Sequence, residues 1–430
     1  MRIVHLTTHM GGGIGQAISS LVQRDSANHH TVLCLQKPEK DRFIRLCQQS
    51  GRTVLCEPSQ TCLTEQVAHS DVCIIHWWGH PVMAQMFANF PAVPIRGVLW
   101  SHVNGLYYPW LSPELVEPTA AVFLTSSCSL EAAMWQQQPA LVNKAQVVFG
   151  LGDLSRMHPP SHRSWHDGPI RVGYVGSFVK SKMHPDFVDL CERILRIEPN
   201  LRFVLAGDPR EYAWIVQQAR SRGILSAFEL AGYVEDVPAL LSSLDIFAYP
   251  LNPTHFGTTE NAILEAMAMQ LPVVLLDQPA ERAIVTHLKN GILARDIEDF
   301  AAWVHRLASE PDLRLQLGRA ARETMQSQRT IEGNLKRFHQ ALQMVVAQPK
   351  KILTWPAYQG KAPWQWFFNA VRPDMRAAFL EHQSEEFGYL LEKMPVFCEP
   401  SKGSIPHFHC TFPQDPILAQ WSEIVAKIKK

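Results

Sequence analysis

Short apolar runs alternate with polar, helix-spaced segments through residues 1–345. RIVHLTT (2–8), HTVLCLQ (30–36), VCIIHWW (72–78), GVLWSH (97–102), AVFLTSS (121–127) and VVFG (147–150) are β-branched or aromatic and nearly continuous in apolar character. Unalternating runs of this kind fit parallel strands covered on both faces. A second series follows at IRVGYVG (170–176), RFVLAGD (202–208), FELAGYV (228–234), IFAYP (246–250), PVVLLD (272–277) and GILAR (291–295). Amphipathic segments such as DFVDLCERILRI separate its members. Two successive β/α series predict an α/β protein made of two Rossmann-like, doubly wound domains facing across a cleft, with ligands at strand C-termini.

The expected boundaries follow from changes in this pattern. Residues 1–157 form the first domain, and the Pro- and His-rich HPPSHRSWHDGP (158–169) reads as a linker. Residues 170–330 form the second domain. A helical segment at 331–350 is expected to pack back on the first domain, and 351–430 is an extra C-terminal tail without α/β alternation. The Trp-rich stretch 355–368 in that tail is read first as packing against the parent fold. An acceptor glycan, a lipid surface or a partner protein are the alternatives.

Composition narrows the function. Lys and Arg total 40 and so do Asp and Glu, giving zero net charge, which argues against nucleic acid as a partner. No apolar run approaches the roughly 20 residues that span a bilayer, and MRIVHLTTHMGGG lacks the features of a signal peptide. A cytoplasmic protein is therefore expected, with peripheral association at the inner membrane face allowed. The 9 cysteines include no C-x-x-C pair and read as reduced thiols. HFHC (407–410), taken as a strand, puts His407 and His409 on one face and Cys410 on the other, a weak metal signal.

Four stretches carry candidate chemistry. THMGGGIGQAISSLV (8–22) follows the first strand, and its Gly12 and Gly13 would let backbone approach a ligand ahead of a helix N-terminus. GYVGSFVKSKMHPDF (173–187) repeats the arrangement, with Gly176 clearing space and Lys182 or Lys180 supplying positive charge. In HFGTTENAILEAMAMQLPVV (255–274), Thr258 or Thr259 is expected to cap a helix, Gly257 to take an unusual backbone angle, and Glu260 to fall in the first turn. Glu265 stands among Ile263, Leu264, Ala266 and Met267, where a carboxylate needs a partner or a ligand such as a vicinal diol. His102 ends the strand in LWSHVNG (99–105).

Together these residues resemble the family 4 retaining glycosyltransferases of the GT-B fold. The resemblance spans about residues 1–345 and is carried by ENAILEAMAMQLPVVLLDQPAERAIVTHLKNGILA and AGYVEDVPALLSSLDIFAYP. It implies that Glu265 holds the ribose hydroxyls of a nucleotide sugar and that Lys182 stabilises the departing diphosphate. It further implies that Thr258, Thr259 and Glu260 grip the donor sugar and phosphate, and that backbone near Val234 meets the base. Gly12 and Gly13 fall in the family's first glycine loop, and His102 matches a histidine beside the donor sugar. The family's arginine after Gly176 is Ser177 here, its motif glutamate is Gly257, and the glycine before its Pro-Val-Val is replaced in Gln270-Leu271. The implied activity is transfer of a sugar with retention, from a UDP- or GDP-sugar to a glycan, lipid-linked or small-molecule acceptor. Neither cofactor nor essential metal is implied. The alternative is a GT-B-shaped nucleotide-sugar-binding or scaffold subunit of impaired turnover.

Overall fold

A computed structural model describes residues 1–160, 168–382, 384–400 and 403–428. Of the linker expected at 158–169, residues 161–167 lie outside the described residues. The chain folds into two compact units: Met1–Gly152 with Phe256–Thr258 and Ile331–Lys430, and Asp153–His255 with Thr259–Thr330.

Unit 1 is built on a parallel sheet of β1 (Arg2–Thr7), β2 (His29–Cys34), β3 (Thr53–Cys56), β4 (Val72–Trp77), β6 (Gly97–Ser101), β7 (Ala121–Leu124) and β8 (Ala145–Val147). The strands run in the order β3-β2-β1-β4-β6-β7-β8. All six residues of β4 are buried, as a central strand covered on both faces requires. β3 was not expected from sequence. It is an edge strand of 4 residues with only Val54 buried, too short and too exposed to leave a continuous apolar run.

Each face of this sheet has its own core. Ile3, Val32, Ile74, Val98 and Trp100 pack with Ile18 and with Phe338, Ala341 and Leu342 of the Ile331–Val346 helix. The opposite face presents Leu6, Leu33, Ile75 and Leu99, and much of its cover comes from the tail: Leu353, Trp355, Phe367, Phe397 and Trp421. The tail is joined to unit 1 by a short antiparallel pair, β5 (Pro94–Ile95) with β15 (Lys351–Ile352). Trp355 and Trp366 are buried and donate their indole N–H groups to Leu115 O and Tyr358 O, so these tryptophans pack inside unit 1.

HFHC is not a strand. Residues Ile405–Thr411 form a helix in which Ser404 Oγ accepts from His407 N–H at 3.1 Å and Pro406 sits in the first turn. A serine cap followed by proline, with Ile405 and Phe408 three apart on the buried side, is a helix-start pattern. His407 and His409 therefore do not share a strand face.

Unit 2 carries a second parallel sheet: β9 (Ile170–Val175), β10 (Leu201–Ala206), β11 (Phe228–Gly232), β12 (Ile246–Tyr249), β13 (Val273–Leu276) and β14 (Ile292–Ala294), ordered β11-β10-β9-β12-β13-β14. In both units the order reverses next to the first strand, the point where open α/β sheets bind ligands.

Candidate functional site

In unit 2 the chemistry gathers where β9 and β12 end. Tyr174 and Tyr249, near the ends of these neighbouring strands, stack with ring centroids 4.6 Å apart and planes 25° apart. Tyr174 Oη donates to Ser177 O at 2.9 Å, tying the turn after Gly176 to the strand. A Cβ on Gly176 would come within 2.9 Å of Tyr249 Oη, so glycine is needed there for close approach.

Lys182 and Glu260 meet on this aromatic floor. Lys182 Nζ is 3.0 Å from Glu260 Oε2 and 5.8 Å from the Tyr249 ring centroid. Tyr249 Oη donates to the same carboxylate oxygen at 3.3 Å. The side chains of Lys182 and Glu260 are 21% and 7% exposed. Burial by itself would neutralise both. Against that burial, the Glu260 carboxylate raises the lysine pKa, and Lys182 and then His255 lower that of Glu260. An ammonium is thus held charged in a partly dehydrated place. Ser177 is half-buried, whereas Lys180 is exposed, with its carbonyl accepting from Asn252 Nδ2.

The loop before the Asn261–Ala268 helix differs from the expectation. Neither Thr258 nor Thr259 caps the helix. Glu260 itself is the N-cap residue, in the left-handed region with φ 41° and ψ 76° and no side-chain cap bond. Gly257 is not among the residues of positive φ, so the unusual angle falls on the glutamate. A non-glycine residue there costs of order 1–3 kcal/mol, and such strain collects at functional positions. Here the strain accompanies the placement of Glu260 against Lys182. Thr258 belongs to unit 1, where its Oγ1 accepts from Thr125 Oγ1 at 2.9 Å, and Gly257 O accepts from Asn104 Nδ2 at 3.0 Å.

Glu265 lies on the helix, half-buried, with Leu264 and Ala266 fully buried beside it. The helix ends in a Schellman motif: Leu271 N–H bonds Ala266 O and Gln270 N–H bonds Met267 O, each at 3.0 Å. Gln270 stands at the left-handed position with φ 61°. Replacement of the family glycine is therefore a change of backbone energy and not of packing alone.

Val234 lies in the loop after β11 and is half-buried. Sequence reasoning missed Tyr174 and Tyr249, which read as ordinary strand aromatics. It also missed buried His255, whose Nε2 is 3.3 Å from Glu281 Oε1. Burial opposes the proton on His255, and Glu281 outweighs it and raises the pKa.

In unit 1, Gly12 opens the Gly12–Arg24 helix with φ 57°, and a Cβ there would meet nothing within 4 Å. Gly13 is exposed in the same first turn. Gly15 has a packing role, because its Cβ would lie 2.3 Å from Met10 O. His102 follows β6, half-buried, with its backbone N–H bonded to Trp77 O at 2.9 Å and its Nε2 2.7 Å from His76 Nδ1. Among the described residues no group of three His, Cys, Asp or Glu side chains is placed to hold a metal ion. Among these residues, too, no helix is long and apolar enough to cross a membrane.

The residues that build the aromatic floor and its ion pair fall inside a segment with known relatives: 169–310 match the family model described as Glycosyl transferases group 1. The chain is similar to the glycogen synthase of Mycobacterium tuberculosis, 26% identical over 281 residues that cover 61% of this chain and 66% of that protein. It is also similar to the lipopolysaccharide core biosynthesis glycosyltransferase LpsE of Rhizobium meliloti, 26% identical over 43% of this chain and 51% of the relative. Among solved structures, Anabaena HepE in complex with UDP and glucose superposes with a TM-score of 0.65 at 16% identity, covering 80% of this chain and 99% of that one. Sucrose-phosphate synthase from Thermosynechococcus elongatus gives 0.61 at 16% identity over 81% of this chain and 100% of that one. With two parallel Rossmann-like sheets, this chain has the GT-B fold.

Proposed function

We propose that this protein is a retaining glycosyltransferase that moves a sugar from a nucleoside-diphosphate sugar, a UDP-sugar in the first instance, to an acceptor in polysaccharide, glycan or glycolipid assembly. The carrying observation is Lys182, held protonated by Glu260 over the Tyr249 ring beside the Gly176 turn. Departure of a nucleoside diphosphate develops negative charge on phosphate oxygens. A fixed ammonium of low hydration stabilises that charge more in the transition state than in the ground state. Glu260 keeps the ammonium charged and aimed. Glu265, half-buried on the adjoining helix, is assigned to the ribose hydroxyls, and backbone near Val234 to the base. His102 is assigned to the sugar. The chemistry needs no metal, since the cation is supplied by the chain, and departure on the same face as acceptor attack gives retention.

The relatives support this reading: LpsE is a glycosyltransferase of lipopolysaccharide core biosynthesis, and the HepE structure is a complex with UDP and glucose. Ser177 and Gly257, where the family has an arginine and a glutamate, favour a second reading, a nucleotide-sugar-binding subunit without turnover.

Incubation with UDP-, GDP-, ADP- and CDP-sugars, with EDTA present and absent, separates the two. Release of one nucleoside diphosphate, abolished in Lys182→Ala and Glu265→Ala and indifferent to EDTA, is expected for the transferase. Binding without release, even with an acceptor panel, selects the second reading. No binding of any donor removes both.

A further inference from the structure

Four histidines form an unbroken file across the sheet of unit 1. They come from β2, β1, β4 and the residue just past β6. The register pairs Ile3 with His30, His5 with Val32 and Ile74, and His76 with Trp100, which puts all four on one face and steps them toward the strand C-termini. His30 Nδ1 lies 2.9 Å from His5 Nε2, His5 Nδ1 lies 3.0 Å from His76 Nε2, and His76 Nδ1 lies 2.7 Å from His102 Nε2. Successive ring planes differ by 30°, 23° and 28°, so the rings are nearly coplanar along the file.

The inner end is closed by Asp25, whose side chain is 0% exposed. Its carboxylate receives His30 Nε2 at 3.0 Å, Asn28 Nδ2 at 2.8 Å, the Ala27 N–H at 3.1 Å and His339 Nε2 at 3.0 Å. Although burial opposes ionisation, these bonds hold the carboxyl well below the usual range. Burial lowers the pKa of His30, His5 and His76 and takes His102 to about 3, so each ring carries a single N–H at neutral pH.

One proton per ring leaves two consistent arrangements, with every N–H pointing inward or every N–H pointing outward. An ionised carboxylate only accepts, so the N–H of His30 is on Nε2. His30 Nδ1 is then an acceptor and takes the Nε2–H of His5. The same argument passes to His76 and to His102. The outer ring ends with its proton on Nε2 and a bare Nδ1, which has no partner among the described residues.

We propose that Asp25, acting through His30, His5 and His76, locks His102 in the Nε2–H tautomer, so that its Nδ1 is a hydrogen-bond acceptor for a hydroxyl of the bound sugar. Asp25 is thus a positioning residue three imidazoles away from the group it sets. The tautomer rests on the geometry of unit 1 alone, while the sugar hydroxyl rests on the glycosyl-transfer reading.

The full chain carrying 15N-histidine tests the lock directly by long-range proton–nitrogen correlation. His102 is expected to show a pyridine-like Nδ1 and a pyrrole-like Nε2 in the wild type. In Asp25→Asn, whose amide can donate to His30, protonated Nδ1 is expected to appear at His102. A wild-type His102 protonated on Nδ1 overturns the proposal, and so does an unchanged tautomer in Asp25→Asn. If that variant does not fold, His5→Leu, which interrupts the file, must give a mixture of tautomers, and a single unchanged tautomer there overturns it. With UDP-glucose as probe, loss of one acceptor should raise KM about five- to tenfold while the affinity for UDP is unchanged. Equal weakening of both overturns the sugar contact. If the wild type binds no nucleotide sugar, the transfer reading and the contact fall together, and the spectrum still decides the lock.

Discussion

Lys182 Nζ lies 3.0 Å from Glu260 Oε2, and each group keeps the other ionised against the burial that would neutralise it. Breaking such a pair from one side leaves a charge in a poor solvent, which is worse than removing both. Lys182→Met should therefore destabilise the protein by about 2 kcal/mol, less than for a fully enclosed pair because the lysine keeps some contact with water. Lys182→Met/Glu260→Gln should recover about half of that loss. A double-mutant cycle from denaturant unfolding measures the coupling, and purely additive single effects would remove the pair from the account. Release of nucleoside diphosphate should fall at least about 100-fold in Lys182→Met.

The buried histidine file predicts acid lability. The folded pKa values of His5, His30, His76 and His102 lie below their unfolded value. The unfolded chain therefore binds more protons, and stability is lost as pH falls below about 6.5. Each ring contributes up to about 1.4 kcal/mol per pH unit in that window. Asp25 and Glu260, with depressed values, add losses only in more acidic solution. His255, raised by Glu281, acts oppositely, favouring the fold below about 6.5 and less as pH rises past its folded value. The net slope of unfolding free energy between pH 6.5 and 4.5 should be positive with pH, at roughly neutral to mildly acidic values. It should flatten in His76→Leu compared at the same temperature.

Gln270 occupies a left-handed helix terminus with φ 61°. A side chain there costs about 1 kcal/mol that glycine avoids, partly offset by the greater freedom of glycine in the unfolded chain. Gln270→Gly should raise stability by about 0.5 kcal/mol, and Gln270→Val should lower it by more than that. Thermal unfolding of both variants reads the ordering.

A methyl group on Gly176 would stand 2.9 Å from Tyr249 Oη, the hydroxyl that donates to Glu260. Gly176→Ala should displace that tyrosine and reduce nucleoside diphosphate release by about tenfold or more, while unfolding free energy changes by roughly 1–2 kcal/mol. Release at the wild-type rate would show that the close approach does not matter to the site.

Trp421, 1% exposed, is ringed by Phe367, Phe368 and Phe379 with centroids 5.2–5.8 Å away. Trp421→Ala should cost about 3–5 kcal/mol. Trp421→Phe should cost less, since its indole N–H has no partner to lose among the described residues. A chain ending at residue 350 should expose the sheet face that Trp355 and Phe367 cover and fail to give a cooperative unfolding transition.

Much of this architecture was legible along the chain. The apolar runs located the principal strands except β3, because a strand buried on both faces must be apolar throughout and Thr53–Cys56, at an edge, need not be. A carboxylate in an apolar helix singled out Glu265, and a lysine after a glycine turn singled out Lys182. Local pattern could also have identified the Ser404-Ile405-Pro406 helix start, which two alternating histidines obscured.

Tertiary structure decided what depends on residues distant in sequence. Lys182 and Glu260, 78 residues apart in the chain, meet because parallel β9 and β12 lie side by side with Val172 paired to Ile246, a pairing that the local pattern does not display. His5 and His76 are 71 residues apart and look like isolated polar interruptions of apolar strands. Only the register places their nitrogens in contact. The tail's aromatic stretch reads as packing against the parent fold, but which sheet face it covers is decided only in three dimensions. The sequence by itself determines which segments can be strands and helices, since periodicity and capping are local. Pairing order, register and the choice of what covers each sheet face are settled by long-range burial, and these are the properties that assemble the site.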